Sequence, residues 1–238
     1  MSKLTLPRTD DDGKHYISYS QIKSWHAKEG YNTKMLGRLE YIREYFFGED
    51  FPDAGYGQFG TEVEDYICER NGAEKFTDAE KKVMESITPY GTFQKEIKMD
   101  FGWFYVKGFI DDCDKLMKRL RDFKTASQSS KQQYFEDTYK QLDIYALAVL
   151  MMTGNLPEKL EVTIIGRKGN TWGRGKMYVG ELEGLKGRDA LFVDDWVETI
   201  EKPVDEERIE SVKQLIVSTA EEVAKYHAVF TKLQELKA

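Results

Sequence analysis

The sequence predicts an α/β (α+β) fold in which helices flank a central β-sheet, with extra N-terminal helices and a long C-terminal helix. Two observations support this class. Short apolar segments with strand character cover residues 93–99, 105–110, 120–125 and 160–166. Segments in which apolar residues recur at helical spacing cover residues 61–70, about 130 or 138 to 153, and 205–236.

Length and charge limit the classes of protein to consider. A chain of 238 residues fits one domain with a sizeable core. We expect a single domain over 1–238, with its core at about 56–166, an N-terminal helical region at about 17–55 and a C-terminal helical extension at about 189–238. The net charge of −7 argues against a broadly basic nucleic-acid surface but is compatible with a local basic groove.

Cysteine usage and hydropathy indicate the compartment. Cys68 and Cys113 form no CxxC pair, which suggests a reducing environment and excludes a four-cysteine zinc or iron–sulfur site built from this chain. No apolar run approaches the roughly 20 residues that span a bilayer, and residues 1–12 lack the apolar core of a signal peptide. We therefore expect a soluble, cytoplasmic protein without a membrane segment.

The N-terminal half contains several helix signals. Ser18 and Gln21 have capping-box spacing and predict a helix to about residue 28, and Thr77 and Glu80 predict a short helix that Pro89 ends. A further helix is predicted at 35–47, with its apolar stripe formed by Leu36, Leu39, Ile42 and Phe46.

The helix at 61–70 follows a glycine-rich segment and carries a candidate functional acid. Its apolar face is formed by Phe59, Val63 and Ile67, and Glu64 lies on or beside that buried side. Glu62 and Asp65 are interpreted as first-turn acids that interact with the helix dipole. Glu64 is either a third acid of that kind or a metal-linked residue, since acids are rarely buried unpaired.

The most informative segment lies between residues 107 and 145. Asp122 and Lys124 are two apart on a predicted strand, so their side chains leave the same face. A hairpin that turns near residues 114–115 would bring Asp111 beside Asp122. Adjacent carboxylates repel unless a cation lies between them, and such hard oxygen ligands suit Mg²⁺ or Mn²⁺.

These residues resemble the motifs of the PD-(D/E)XK nuclease superfamily, specifically its RecB-like and phage-exonuclease branch. The run Gly108-Phe109-Ile110-Asp111 matches the segment that ends in the first acidic residue of the family, and Asp122-Phe123-Lys124 matches its Asp/Glu-x-Lys motif. Gln141 and Tyr145 match a helical Gln-x-x-x-Tyr motif downstream, and Phe59-Gly60 with Glu64 matches an upstream helix. The Cys-Pro pair that often follows the first helix of RecB-like relatives is absent.

The resemblance implies a restriction-endonuclease-like core with a mixed sheet and the activity of a Mg²⁺- or Mn²⁺-dependent deoxyribonuclease. Further implications are an exonuclease that acts in DNA recombination, repair or replication, a phage origin, and no iron–sulfur cluster. The metal ligands would be Asp111, Asp122, the main-chain carbonyl of Phe123 and Glu64, which with Lys124 also form the catalytic set. Gln141 and Tyr145 would contact DNA, or would simply hydrogen-bond the sheet from the helix rim.

Two further features have open interpretations. Glu96, on the strand at 93–99, either faces the metal cleft or is an exposed cross-strand acid. The loop after residue 166 is the most basic in the chain, and it either follows a DNA backbone and stacks a base or forms a solvated hairpin. Its candidate DNA-binding residues are Arg167, Lys168, Trp172, Arg174 and Lys176.

The C-terminal region is predicted to be helical. We expect one helix at 190–200, with Val193, Trp196, Val197 and Ile200 facing inward, and a long helix at 205–236. The long helix has nearly four heptads and either packs on its own domain or binds a second copy or another protein.

Two alternatives to an enzyme remain from the sequence. The same fold can serve as a non-catalytic nucleic-acid-binding or protein-interaction module, although both acids and the lysine are present. A purely helical interaction protein, with an accidental Asp-x-Lys, would require the middle of the chain to lack a sheet. The sequence leaves open whether the substrate is DNA or RNA and whether cleavage is exo- or endonucleolytic. The strandedness of the substrate, the polarity of cleavage and the oligomeric state also stay open.

Overall fold

The computed structural model describes residues 4–29, 35–51 and 53–237, and this part of the chain forms one mixed sheet with helices on both faces. Its strands are β1 (His15–Ile17), β2 (Thr92–Asp100), β3 (Phe104–Cys113), β4 (Arg119–Ala126), β5 (Lys159–Gly169) and β6 (Leu191–Lys202). Its α-helices are α1 (Tyr19–His26), α2 (Gly37–Tyr45), α3 (Tyr56–Glu69), α4 (Asp78–Glu85), α5 (Gln141–Thr153) and α6 (Glu206–Glu235). The predicted fold class is confirmed. Residues 1–3 of the segment assessed for a signal peptide lie outside the described residues.

Strand β3 is the branch point of the sheet. Strand β2 runs antiparallel along one edge of β3. The other edge pairs with β1 in parallel at residues 104–106 and with β4 in antiparallel at Asp112 and Cys113. Between these two pairings, residues 107–111 have no described strand partner on that edge, so the sheet opens there. Strand β4 then pairs in parallel with β5, which pairs in antiparallel with β6.

Two apolar layers cover the faces of the sheet. The larger one packs α1, α5 and α6 against a face that includes Val162 and Ile164. The smaller one packs α3 and α4 against the opposite face, where Phe123 and Ile165 contact the α3 layer. Because side chains alternate along a strand, Phe123 points to the α3 side while its neighbours Asp122 and Lys124 leave the other face.

The local helix signals are confirmed. Both capping boxes form: the N–H of Gln21 donates to Oγ of Ser18, and Glu80 pairs with Thr77 in the same way. Helix α5 begins near the later of its two predicted starts. Helix α3 begins five residues earlier than predicted, at Tyr56, because Gly55 adopts a φ of +103° and the carboxylate of Asp53 accepts the first free N–H groups.

The helix predicted at 190–200 is wrong, because these residues form strand β6. Apolar side chains occur on both faces of this strand: Trp196 and Ile200 contact the larger layer, and Val193 and Val197 contact the smaller one. A strand that is apolar on both faces reproduces the three- and four-residue spacing of a helix. The extension predicted to be helical therefore begins with a strand.

Two predictions about helix faces are also wrong. In α2 the proposed stripe holds only in part, since Leu36 and Leu39 are 60% and 49% exposed while Tyr41 is fully buried. Glu62 is not a first-turn acid of α3. It lies in the second turn, is 8% exposed, and its carboxylate binds the side chains of Arg188 and Lys75.

Helix α6 packs on its own chain, with its first half in the larger layer and Phe230 nearer its end against Phe46 and Phe47. Its stripe from Ile209 to Val223 is buried, whereas Tyr226 and Leu233 nearer its end are 44% and 53% exposed. A partner for the exposed half stays a prediction. Within the described residues no helix combines the length and apolar character needed to cross a bilayer.

Candidate active site

The ends of β3 and β4 bring two carboxylates together. The strands pair at Asp112 and Cys113 and then separate, which leaves Asp111 and Asp122 facing each other across the opening. Both carboxylates are buried, with Asp122 fully covered and Asp111 7% exposed. The N–H of Phe123 donates to Oδ2 of Asp111 at 2.9 Å, which fixes that carboxylate against β4.

The ammonium group of Lys124 lies close to both carboxylates. Its Nζ donates to Oδ1 of Asp122 at 2.7 Å and to the main-chain carbonyl of Phe123 at 2.9 Å, and it lies 3.9 Å from Oδ2 of Asp111. Burial alone would lower the pKa of Lys124, but the charges of Asp122 and Asp111 raise it above its ordinary value. The side chain is therefore a fixed cation at neutral pH.

The electrostatics of Asp111 favour a further cation. Burial raises the pKa of Asp111 well above its ordinary value, the charge of Asp122 raises it further, and Lys124 opposes both effects. Three oxygens, from Asp111, Asp122 and the carbonyl of Phe123, already surround one ammonium group. Such a set of hard oxygen donors fits Mg²⁺ or Mn²⁺ and does not suit a soft metal.

Glu64 lies near this set without joining it. Its carboxylate accepts a hydrogen bond from Nε2 of Gln94 on β2. Burial raises the pKa of Glu64, while the hydrogen bond from Gln94 and the charge of Lys124 oppose that rise. Among the described residues, no group of three or more acidic, histidine or cysteine side chains has the arrangement of a metal site.

A chain of hydrogen bonds connects Asp122 to α5. The hydroxyl of Tyr139 donates to Oδ2 of Asp122 at 2.5 Å and lies 3.0 Å from Oε1 of Gln141. The amide of Gln141 in turn donates to the hydroxyl of Tyr145 at 2.5 Å. The predicted pair Gln141 and Tyr145 thus lies next to the acids. Tyr139 was not predicted as a site residue. The only feature of the sequence that indicates a role for it is its position two residues before Gln141.

The acids and Lys124 lie between two clefts. The first, termed the Asp111 cleft, has a volume of about 560 Å³ and lies where β3 lacks a strand partner. Its lining includes Ser18, Ser20, Lys23, Phe109, Asp111, Gln141 and Tyr145. The second, termed the Arg167 cleft, has a volume of about 470 Å³. Its lining includes Tyr56, Glu64, Lys124, Thr125, Gln133 and Arg167.

Helix α1 adds a cation that the sequence analysis did not single out. Lys23 lines the Asp111 cleft, and burial together with the charge of Lys124 lowers its pKa. The Asp111 cleft thus combines an ammonium group with serine hydroxyls and an amide. These are the donor types that contact phosphate and sugar in nucleic-acid complexes.

The structure separates the predicted DNA-binding residues of the basic loop. Arg167, at the end of β5, lines a cleft beside Lys124. Lys168, Trp172, Arg174 and Lys176 are exposed and line neither cleft. Glu96 is exposed as well, and it pairs with Lys107 across the strands at 3.6 Å. The arrangement therefore supports the cross-strand interpretation of Glu96.

The chain matches a known protein family. The family model for the PD-(D/E)XK nuclease superfamily matches residues 32–234 of the chain. A search of curated proteins gives no match.

Solved structures share the fold. A protein from Eubacterium rectale described as a candidate exonuclease is 14% identical, with a TM-score of 0.54 over 92% of this chain and 88% of that chain. An alkaline exonuclease from Laribacter hongkongensis is 13% identical, with a TM-score of 0.48 over 94% of this chain and 95% of that chain. At this level of identity, the likeness to the first protein shows the fold alone.

Proposed function

Because the chain belongs to the PD-(D/E)XK nuclease superfamily, we propose that it is a metal-dependent deoxyribonuclease that hydrolyses phosphodiester bonds, with Asp111, Asp122 and Lys124 as catalytic residues. The observation that carries this proposal is the position of Lys124 Nζ, 2.7 Å from Asp122 and 3.9 Å from Asp111. A buried pair of acids can bind a metal ion, and a cation beside it can stabilise the negative charge that develops during phosphoryl transfer.

The residues that would hold the metal in this proposal are Asp111, Asp122, the main-chain carbonyl of Phe123 and Glu64. A divalent ion held there would supply Lewis-acid polarisation of the scissile phosphate and a more acidic attacking water. Asp122 keeps its orientation through the hydroxyl of Tyr139. The clefts on either side present lysine, arginine, hydroxyl and amide donors of the kind that contact a nucleic-acid backbone. DNA is the proposed substrate because the motifs resemble those of phage-type and RecB-like deoxyribonucleases.

Lys124 has a separate role in the proposal. In the described arrangement its ammonium lies among the three oxygens, and its side chain also lines the Arg167 cleft. There it would orient the attacking water and stabilise the negative charge that develops on the phosphate in the transition state. A fixed cation in a water-poor site is effective in this role because it needs no reorganisation during the reaction.

We further propose that the activity is exonucleolytic and that it serves DNA recombination, repair or replication, with Mg²⁺ or Mn²⁺ as cofactor. The support is the resemblance in motifs to phage-type and RecB-like nucleases. The exposed end of α6 is a proposed contact for a second copy or another protein, and the origin in a phage is proposed on the same resemblance.

The test is cleavage of linear and circular DNA, single- and double-stranded, with Mg²⁺, Mn²⁺ or EDTA. Wild type should degrade DNA only with metal, and Asp122→Ala and Lys124→Ala should be inactive. Lys118→Ala is the matched control, because Lys118 lies in the β3–β4 turn, is 52% exposed and pairs with Glu158 away from both clefts. It should retain full activity.

The outcomes separate the candidate functions. Resistance of circular substrates would identify an exonuclease. Full activity in Lys124→Ala would contradict the assignment of Lys124. Binding of DNA without cleavage of any substrate would favour the non-catalytic module on the same fold.

A further inference from the structure

Arg167 differs from the other shielded arginines of the described chain. Arg121, Arg188 and Arg208 each bind a carboxylate. Arg167 is partly buried, and no described carboxylate lies within 4.0 Å of its guanidinium. Its Nε is buried without a hydrogen-bond partner among the described residues. Cations are rarely shielded from water unless an anion pairs with them, so the position of Arg167 indicates an anionic ligand.

The fold holds this guanidinium in one orientation. Arg167 follows Ile165 by two residues on β5, so its side chain leaves the face of the sheet that carries α3. The carbon of its guanidinium lies 4.1 Å from the ring centroid of Tyr56, the first residue of α3. Stacking on an aromatic ring fixes the plane of an arginine while its N–H groups stay available at the edge.

Gly166 contributes to the same arrangement. Three residues of β6, 194–196, lie opposite this single glycine, and the indole of Trp196 lies over it. A Cβ at position 166 would meet Nε1 of Trp196 at 2.6 Å, so a side chain there is incompatible with the observed packing. The strand can therefore bring Arg167 to the edge of the cleft while its other face stays covered.

The cleft that Arg167 lines leads directly to Lys124. Its described cations are Lys124 and Arg167, and its described acid is Glu64. Gln133 and Thr125 add neutral donors. We infer that Arg167, stacked on Tyr56, binds the DNA phosphate next to the scissile one, on the side of Lys124 opposite the Asp111 cleft. The inference rests on the proposed function, because it takes the scissile phosphate to lie at Lys124.

The chemistry of the ligand follows from the geometry. A guanidinium can donate two parallel N–H groups to the oxygens of one phosphodiester, which gives both charge pairing and a fixed direction. The phosphate contact would position the strand without reading its sequence. A free mononucleotide offers the same phosphate group, and the experiment must distinguish it from a phosphate within a strand.

The experiment uses oligonucleotides in which one phosphate at a time is replaced by a neutral methylphosphonate. Binding is measured by fluorescence anisotropy with Ca²⁺ and cleavage with Mg²⁺. Wild type should lose about tenfold in affinity when the linkage next to the scissile one is neutral. Arg167→Gln should bind the unmodified strand about tenfold more weakly and should show no further loss at that linkage.

Two variants complete the design. Arg119→Gln removes the same charge at a half-exposed position that pairs with Asp114 outside both clefts, and it should retain the wild-type dependence on that linkage. Tyr56→Leu removes the stacking surface and should weaken the dependence, which tests the arrangement even if Arg167→Gln folds poorly. Mononucleotide should compete with the oligonucleotide only weakly. Competition at equal concentration that disappears in Arg167→Gln would instead identify a mononucleotide site and overturn the inference.

Failure of the inference and failure of the proposed function give different results. If wild type cleaves DNA and Arg167→Gln keeps the wild-type dependence on every linkage, the phosphate site is wrong and the nuclease assignment stands. If Arg167→Gln removes the dependence of binding on that linkage but no substrate is cleaved, the phosphate site stands as a DNA contact and the nuclease assignment fails.

Discussion

The hydroxyl of Tyr139 donates a hydrogen bond to Oδ2 of Asp122 at 2.5 Å, while Lys124 binds the other oxygen of the same carboxylate at 2.7 Å. Asp122 is fully buried, so these contacts decide which way its carboxylate points. Tyr139 is therefore a positioning residue for a proposed metal ligand. Replacement of a residue that orients a metal ligand commonly lowers metal affinity by about 10- to 100-fold.

Replacement of Tyr139 by phenylalanine should weaken metal binding. Without the hydroxyl, the carboxylate of Asp122 can rotate out of its orientation. We therefore expect about tenfold weaker Mn²⁺ affinity, measured by titration calorimetry without DNA. Tyr90→Phe is the matched control, since the Tyr90 hydroxyl donates to Glu161 instead. It should keep wild-type Mn²⁺ affinity. Equal affinity in Tyr139→Phe and wild type would show that the hydroxyl does not position Asp122.

Replacement of Asp111 by asparagine should stabilise the metal-free protein and remove its response to Mg²⁺. Two buried carboxylates share one lysine, so the loss of one negative charge should raise the free energy of unfolding by about 1 kcal/mol. The measurement is thermal unfolding with and without Mg²⁺. Wild type should gain stability with Mg²⁺, because an ion that binds only the folded state shifts the unfolding equilibrium.

The control for this prediction has the opposite sign. Asp114 lies in the β3–β4 turn and accepts hydrogen bonds from the N–H of Lys118 and from the Arg119 side chain. Asp114→Asn should lower stability slightly and keep the response to Mg²⁺. An Asp111→Asn protein that Mg²⁺ stabilises as much as wild type would contradict Asp111 as a ligand.

Replacement of Arg121 by methionine should destabilise the protein strongly. The guanidinium binds Glu161 at 3.0 Å, contacts Asp112 at 3.5 Å and donates to the carbonyl of Thr88 at 3.0 Å. Its loss removes the cation that pairs with buried Asp112 and leaves Glu161 paired with Lys159. The change should cost about 3 kcal/mol, measured by urea unfolding. Arg119→Met breaks a partly exposed pair with Asp114 and a cation–π contact with Tyr90, and it should cost about 1 kcal/mol or less. Equal costs in the two variants would contradict the argument.

The sequence is most informative where a feature depends on neighbouring residues. The capping boxes at Ser18 and Thr77 each need two side chains three residues apart, so they are readable without any tertiary information. The approach of Asp111 to Asp122 follows from strand alternation and a short turn. Both predictions concern residues within one helix turn or one hairpin, for which local geometry leaves little freedom.

The sequence is less informative where a contact joins distant segments. Tyr139 contacts Asp122 from 17 positions away, and Glu62 binds Arg188 from 126 positions away. No local pattern in the sequence marks either pair. Strand β6 was predicted as a helix because its two buried faces produce helical spacing. Residues that follow one another in the basic loop separate in space, since only Arg167 lies at the end of a strand beside the cleft.

Stability should depend on pH through Glu62. Burial alone would raise the pKa of Glu62, but hydrogen bonds from Arg188, Lys75 and Gln58 lower it below its ordinary value. A carboxyl group whose pKa is lower in the folded state stabilises the protein above its unfolded pKa, and this contribution disappears as the pH falls through the folded pKa. Wild type should therefore exceed Glu62→Gln in stability at pH 7, by about 3 kcal/mol.

The difference should shrink as the pH falls below the ordinary pKa of a glutamate, about 4.3, and toward the lower pKa of folded Glu62. Urea unfolding at pH 7 and at about pH 3 measures it, with Asp65→Asn, which changes an exposed acid on the same helix, as the control. A constant difference between wild type and Glu62→Gln would contradict the charge pairing. The pair also links α3 to residue 188, whose N–H lies against Gly55 at the start of that helix. Tyr56, which stacks on Arg167, follows Gly55 in the chain. Loss of the Glu62–Arg188 pair should therefore also weaken the binding of DNA through Arg167.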